Sequence, residues 1–199
     1  MKWLPLPPGE QTTVQTLFDF TRGPDQAGSW SEHSDTVRSS GMSKAVMVMQ
    51  KTQLFQRAIL FTLFNPQTNG SGFASVRCET NFDLSEFSNI TIRCRGQGVN
   101  IKYKMLLRHK GLGKDSAVYG QIFSAPEKEF ATVRLPLAEF KPYHRGRELP
   151  LETNPLDIAA ITNVALKVDN GQYLPDNHPG VAALEIDWIK ATKSSSATN

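Results

Sequence analysis

The chain has 199 residues, 39% of them hydrophobic and 21% charged, with a formal net charge of +3 and a mean hydropathy of −0.35. That length can bury one sizeable core, and no apolar run approaches the roughly 20 residues of a membrane-crossing helix, so an embedded helix is excluded. The charge is slight and its basic residues are scattered among acids, which leaves no electrostatic case for a nucleic-acid partner.

In chain order, residues 1–13 read as a Pro-rich lead-in that packs little. They lack the unbroken apolar stretch of a secretory signal, and Pro5, Pro7 and Pro8 forbid an amphipathic transit helix, so no presequence is expected. The domain proper is expected over 14–191. It opens on a strand at 14–20 bearing Leu17, Phe18, Asp19 and Phe20, with Trp30 close behind. Further strands are expected near 44–50, 54–64, 72–79, 87–95, 99–108, 117–124, 130–135, 161–168 and 181–190, separated by turn chemistry.

Asn65 to Gly72 supplies a long turn rich in residues that tolerate positive φ, and Gly96-Gln97-Gly98 predicts a tight hairpin between its flanking strands. Single helical turns are expected only at 83–87 and 154–161. The closing strand alternates, with Leu184, Ile186 and Trp188 on one face and Glu185, Asp187 and Ile189 on the other. Residues 192–199 read as a polar tail. No repeat or low-complexity tract interrupts the domain, and the pattern is that of an all-β two-sheet sandwich with little helix.

Cys78 and Cys94 each fall at the inward parity of their own strand, beside Ala74 and Val76 and beside Ile90 and Ile92. They read as buried thiols, with a disulfide between neighbouring strands as the alternative. Two glycosylation triplets begin at Asn69 and Asn89, a pattern common by chance.

Catalytic chemistry finds no foothold. There is no Gly-x-Ser-x-Gly elbow, no phosphate-cradling glycine loop, and no His or Cys at metal-ligand spacing. His33, His109, His144 and His178 are dispersed and read as surface residues. Glu185 and Asp187 share a strand face, but glycosidase carboxylates come from separate elements, so this pair reads as an outward polar face and an enzyme built on it ranks last. Arg108, His109, Lys110 and Lys114 form a local basic cluster, read as a solvated loop. Trp30, Phe55, Phe73, Phe82, Phe87, Phe140 and Trp188 are expected mostly to fill the core. No catalytic residue, metal ligand or cofactor is expected.

Read in order, Phe18-Asp19-Phe20, Trp30 with Ser34-Asp35, Gly41 to Ala45, Gly72-Phe73-Ala74, Asp83-Leu84-Ser85, Ile92 to Gly96, Val133 to Leu137, Phe140-Lys141-Pro142 with Arg145-Gly146-Arg147, Pro155-Leu156-Asp157 and Leu184 to Asp187 resemble the complex I intermediate-associated protein family over about 17–191. The resemblance implies a jelly-roll sandwich like galactose-binding domains. It also implies a non-enzymatic assembly factor or chaperone for the mitochondrial NADH:ubiquinone oxidoreductase, with complex I assembly intermediates as partners and a mitochondrial location. A cytosolic or extracellular location is the alternative.

A sandwich offers loops and an open sheet face for binding. The candidates for a protein partner are Tyr143, Arg145 and Arg147, which combine forked hydrogen bonding with flat apolar contact; the competing reading pairs the two arginines with acids such as Glu148. The alternative is a lectin-like carbohydrate-binding module, using Trp30, Asp35 and Tyr143 as exposed contacts near strand ends.

Overall fold

The computed structural model describes residues 13–37, 41–67, 72–111, 113, 115–169 and 177–193. Its strands are β1 (Val14–Asp19), β2 (Trp30–Glu32), β3 (Lys44–Lys51), β4 (Gln56–Phe64), β5 (Phe73–Phe82), β6 (Asn89–Gly98), β7 (Lys102–His109), β8 (Val118–Ser124), β9 (Ala131–Pro136), β10 (Lys141–His144), β11 (Arg147–Glu148), β12 (Ile161–Asp169) and β13 (Gly180–Thr192). Sheet I has the order β3-β4-β13-β6-β9 with β1 added alongside β13, and sheet II the order β11-β10-β8-β7-β12-β5-β2. The described pairings are all antiparallel. The two sheets face one another as a jelly-roll sandwich.

Period-two alternation is the local cause. In β5, Ala74, Val76 and Cys78 turn inward; in β6, Ile90, Ile92 and Cys94 do the same from the opposing sheet. Phe20, Leu60, Phe64, Leu84, Met105, Leu107 and Phe140 are wholly buried between the sheets, each burial stabilising by about 1.5–3 kcal/mol, and the Tyr103 ring is buried with them. Near β1, Phe18 packs against Trp30 with ring centroids 5.0 Å apart and edge-on against Phe82 at 5.7 Å.

Both cysteines are buried and free, and they lie in different sheets, which removes the disulfide alternative. Burial pushes the Cys94 thiol up to about 12, so it stays protonated at neutral pH. Among the described residues helix is limited to four single turns, at Ala27–Ser29, Asp35–Val37, Leu137–Glu139 and Ile158–Ala160. The expected turn at 154–161 is met by the last of these, where Asp157 Oδ1 accepts from Ala159 N at 3.1 Å, whereas 83–87 holds no helix and the other three turns lie where none was expected.

Three further features differ from the sequence expectation. Gly96-Gln97-Gly98 is no hairpin: all three residues belong to β6, and the chain then crosses from sheet I to sheet II to begin β7. The glycines serve that crossing, since Ala125 stands 2.8 Å from where a Cβ on Gly96 would sit. The alternation of β13 slips at a bulge between Ile186 and Trp188. Beyond it Ile189 and Ala191 are buried and Trp188 turns outward under Lys190, whose Nζ lies 4.3 Å from the ring centroid. Finally, β2, β10 and β11 are strands too short to show a pattern.

The sheet also runs to Thr192, which pairs with Val14. The lead-in before residue 13, the tail from 194 and part of the 65–72 turn lie outside the described residues. Asn89, the start of one glycosylation triplet, is buried, with its Oδ1 accepting from Arg134 Nε at 2.7 Å.

Candidate functional site

The sandwich presents two outer faces, each built from the strand positions that alternate with the core. On sheet II these are Phe73, Ser75, Arg77 and Glu79 of β5, Asn163, Ala165, Lys167 and Asp169 of β12, Lys104, Leu106 and Arg108 of β7, Val118, Gly120 and Ile122 of β8, and Lys141 and Tyr143 of β10. Register fixes their neighbours: Lys167 lies opposite Lys104 and Ser75, Asn163 opposite Arg108 and Glu79, and Leu106 opposite Gly120.

Asp169 is the anchor of this face. Its Oδ2 meets Lys167 Nζ at 2.7 Å and Lys104 Nζ at 3.5 Å, while its buried Oδ1 has no hydrogen-bond partner. Burial works against its charge, but the two lysines outweigh burial and hold the carboxyl below the usual carboxylate range. Lys104 is itself buried, and burial lowers its amine despite the nearby carboxylate. Its side chain lies across Gly120, where a Cβ would come within 3.3 Å of Lys104 Cδ, and its Nζ reaches 5.5 Å from the Tyr143 ring centroid. At the other side Lys167 Nζ stands 4.6 Å from the Phe73 ring centroid. Asn177 pins the site from above, donating to the carbonyls of Asp169 at 2.7 Å and Lys102 at 3.1 Å.

Arg77 and Arg108 complete the cationic strip. Arg108 Nη1 donates to the Gly113 and Ser116 carbonyls at 2.9 and 3.4 Å. His33, whose N–H donates to the Ser75 carbonyl at 2.8 Å, sits at the rim, its ring 6.0 Å from Phe73. Partial burial and the positive field of Arg77, Arg108 and Lys167 lower its imidazole below 6.5.

The outer face of sheet I divides into two zones. At one end Val46, Phe61, Leu63 and Val181 form an exposed apolar patch; Phe61 is 43% and Val181 61% exposed. The patch lines a groove of about 320 Å³, bounded by Lys44, which pairs with Glu32 at 3.4 Å. At the other end Glu185 and Asp187 are held by arginines: Arg95 to Glu185 at 2.8 Å, Arg57 to Glu185 at 3.2 Å, and Arg93 to Asp187 at 3.1 Å. Phe130 lies over this cluster, with the Arg57 guanidinium 4.2 Å from its ring centroid. The two carboxylates are therefore an ion-paired outer ladder, as their shared strand face implied.

The structure distributes the sequence candidates unevenly. Tyr143 is on the sheet II face, beside Lys104. Arg145 and Arg147 stand exposed in the β10–β11 hairpin, Arg145 at φ 49° and 3.8 Å from Asp115. Glu148 pairs with Lys141 at 3.0 Å, and the acid that meets Arg145 is Asp115. Trp30 and Asp35 are corrected: Trp30 is buried against Phe18, and Asp35 is buried with both oxygens accepting hydrogen bonds from Ser43 and Phe73, so neither presents a surface to a sugar. His109 is likewise buried rather than superficial, its Nδ1 accepting from Asp157 N at 2.7 Å. Phe73 and Phe55, expected in the core, stand on outer faces, each against a cation.

Sequence reasoning missed Arg77, Lys104, Lys167 and Asp169, and the whole apolar patch. The signal was present: these residues occupy the outward parity of strands already recognised.

Among the described residues no helix is long and apolar enough to cross a membrane, and no cluster of His, Cys, Asp and Glu could hold a metal ion. The fold is a galactose-binding-domain-like jelly-roll sandwich, with one polar-aromatic and one partly apolar outer face. Among solved structures the chain is similar to the family 11 carbohydrate-binding module of the cellulosomal cellulase Lic26A-Cel5E of Clostridium thermocellum, with a TM-score of 0.67 at 15% identity over 94% of this chain and 98% of that one. The same module in complex with a β-1,3-1,4-mixed-linked tetrasaccharide matches at a TM-score of 0.66 and 16% identity, over 91% of this chain and 96% of that one. An agarase matches at 0.56 and 13% identity, over 94% of this chain and 25% of that one. These likenesses are of fold. The family model for Complex I intermediate-associated protein 30 (CIA30) matches residues 18–186, and the chain belongs to that family. No curated protein matches it in sequence.

Proposed function

We propose that the protein is a non-enzymatic protein-binding module that acts in mitochondria as an assembly factor or chaperone for respiratory complex I. The observation that carries this reading is the exposed apolar patch of Val46, Phe61, Leu63 and Val181 beside a groove on sheet I. A contiguous apolar area with a charged rim fits a protein partner. Membership of the CIA30 family supplies the kind of partner, an assembly intermediate of complex I. The exposed hairpin that carries Arg145 and Arg147, with Tyr143 behind it, offers a second and polar contact on the other sheet.

The test is affinity purification of the tagged chain from its native cells with mass spectrometry, beside Phe61→Asp and Val181→Asp variants. Both side chains are exposed, so the variants should fold. Complex I subunits recovered with the native chain and lost with either variant support the proposal. A native chain that brings down no respiratory-complex subunit overturns it.

The face of sheet II favours a second reading, carbohydrate binding. It combines two aromatic rings with a few fixed polar groups, the mixture from which sugar sites are made, on a fold shared with carbohydrate-binding modules. Retention on a glycan array that Tyr143→Ala abolishes would support it, and an array without signal would dismiss it.

A further inference from the structure

Resting on the carbohydrate reading, we propose that the outer face of sheet II takes an anionic glycan, a sugar chain bearing carboxylate or sulfate groups. Among the described residues the central strip of this face carries Arg77, Lys104, Arg108 and Lys167 against Asp169 and Glu79. Asp169 is engaged by the two lysines, and among the described residues Arg77 and Arg108 form no ion pair. Positive charge is therefore in excess at the middle of a rigid sheet. Each flanking ring comes with a cation: Lys167 by Phe73 at 4.6 Å, and Lys104 by Tyr143 at 5.5 Å. A ring beside a cation meets both parts of an acidic sugar, the apolar ring face and the anionic substituent.

The rings lie on β5 and β10, four strand steps apart in the sheet, which is about 19 Å across the strands. That separation matches a chain of several sugar units rather than a single one. An acidic peptide fits less well, since an extended peptide draws on a sheet edge for its backbone hydrogen bonds and this strip lies in the sheet interior. A nucleic acid calls for far denser charge than a chain of net +3 supplies.

The experiment is calorimetric titration of the full chain with polygalacturonate, heparin, a neutral β-1,3-1,4-glucan and, as a non-sugar polyanion, polyglutamate. Binding is expected for polygalacturonate or heparin, whichever binds more tightly naming the anion. It should weaken about tenfold or more in Arg77→Gln with Lys167→Gln, which removes charge-assisted bonds from the surface.

Neutral glucan bound as well as the acidic polymers, with the glutamine variant unaffected, overturns the inference while the carbohydrate reading stands. Polyglutamate bound equally well also overturns it. No binding to any sugar removes both.

Discussion

Asp35 accepts hydrogen bonds from Ser43 N at 2.9 Å, Ser43 Oγ at 2.8 Å and Phe73 N at 3.0 Å, tying the approach to β3 to the start of β5. Asp35 and Ser43 are both buried. Asp35→Ala would leave three donors without an acceptor, and we expect a loss of about 3 kcal/mol in chemical denaturation. A neutral outcome would mean that water replaces the carboxylate. Single residues of this kind were hard to read from sequence. Trp30 and Asp35 sit next to turn residues, which made them look exposed, yet the turn folds inward between the sheets. A local pattern does not reveal which side of a turn the rest of the chain will cover. Tyr143 was singled out for combining polar hydrogen bonding with flat apolar contact, and it lies on the outer face of sheet II beside Lys104.

Most of the long strands were legible, because their apolar residues recur with period two. The short ones were not, since two to four residues carry no period, and β10 and β11 are held by pairing with β8 and each other rather than by pattern. The bulge in β13 was invisible for a different reason. Trp188 is apolar and continues the alternation on paper, but pairing with β1 takes over from β4 at that point and resets the register. The link after β6 can be tested directly. Gly98 has φ +96°, and a Cβ there would lie 2.5 Å from the Val181 carbonyl oxygen. Gly98→Ala should cost about 3 kcal/mol, read as a lowered melting temperature, because both the left-handed backbone and the close approach are lost to any side chain.

At the scale of the whole molecule, the functional faces depend on sheet order. Lys104 and Arg77 come onto one strip only because β12 pairs with both β7 and β5, an order that no local pattern announces. Acid should act on this molecule in two steps. Burial and nearby cations lower His33 and His109 below 6.5 in the folded state, so the stability they carry is complete above that pH and is lost as pH falls through it. Asp169 is also lowered, from 3.8, and its contribution goes only in the more acidic range below that value. Melting temperature followed from pH 8 to about pH 3 should therefore bend first near 6.5 and again near 3.8; a flat profile down to the second step would show the histidines to be uncoupled from unfolding. The position of β13 bears on synthesis as well. It is the last of the described strands to leave the ribosome, and it lies between β4 and β6 and carries β1. Until it emerges, β4, β6 and β1 each lack a neighbour, and sheet I closes late and through contacts distant in sequence.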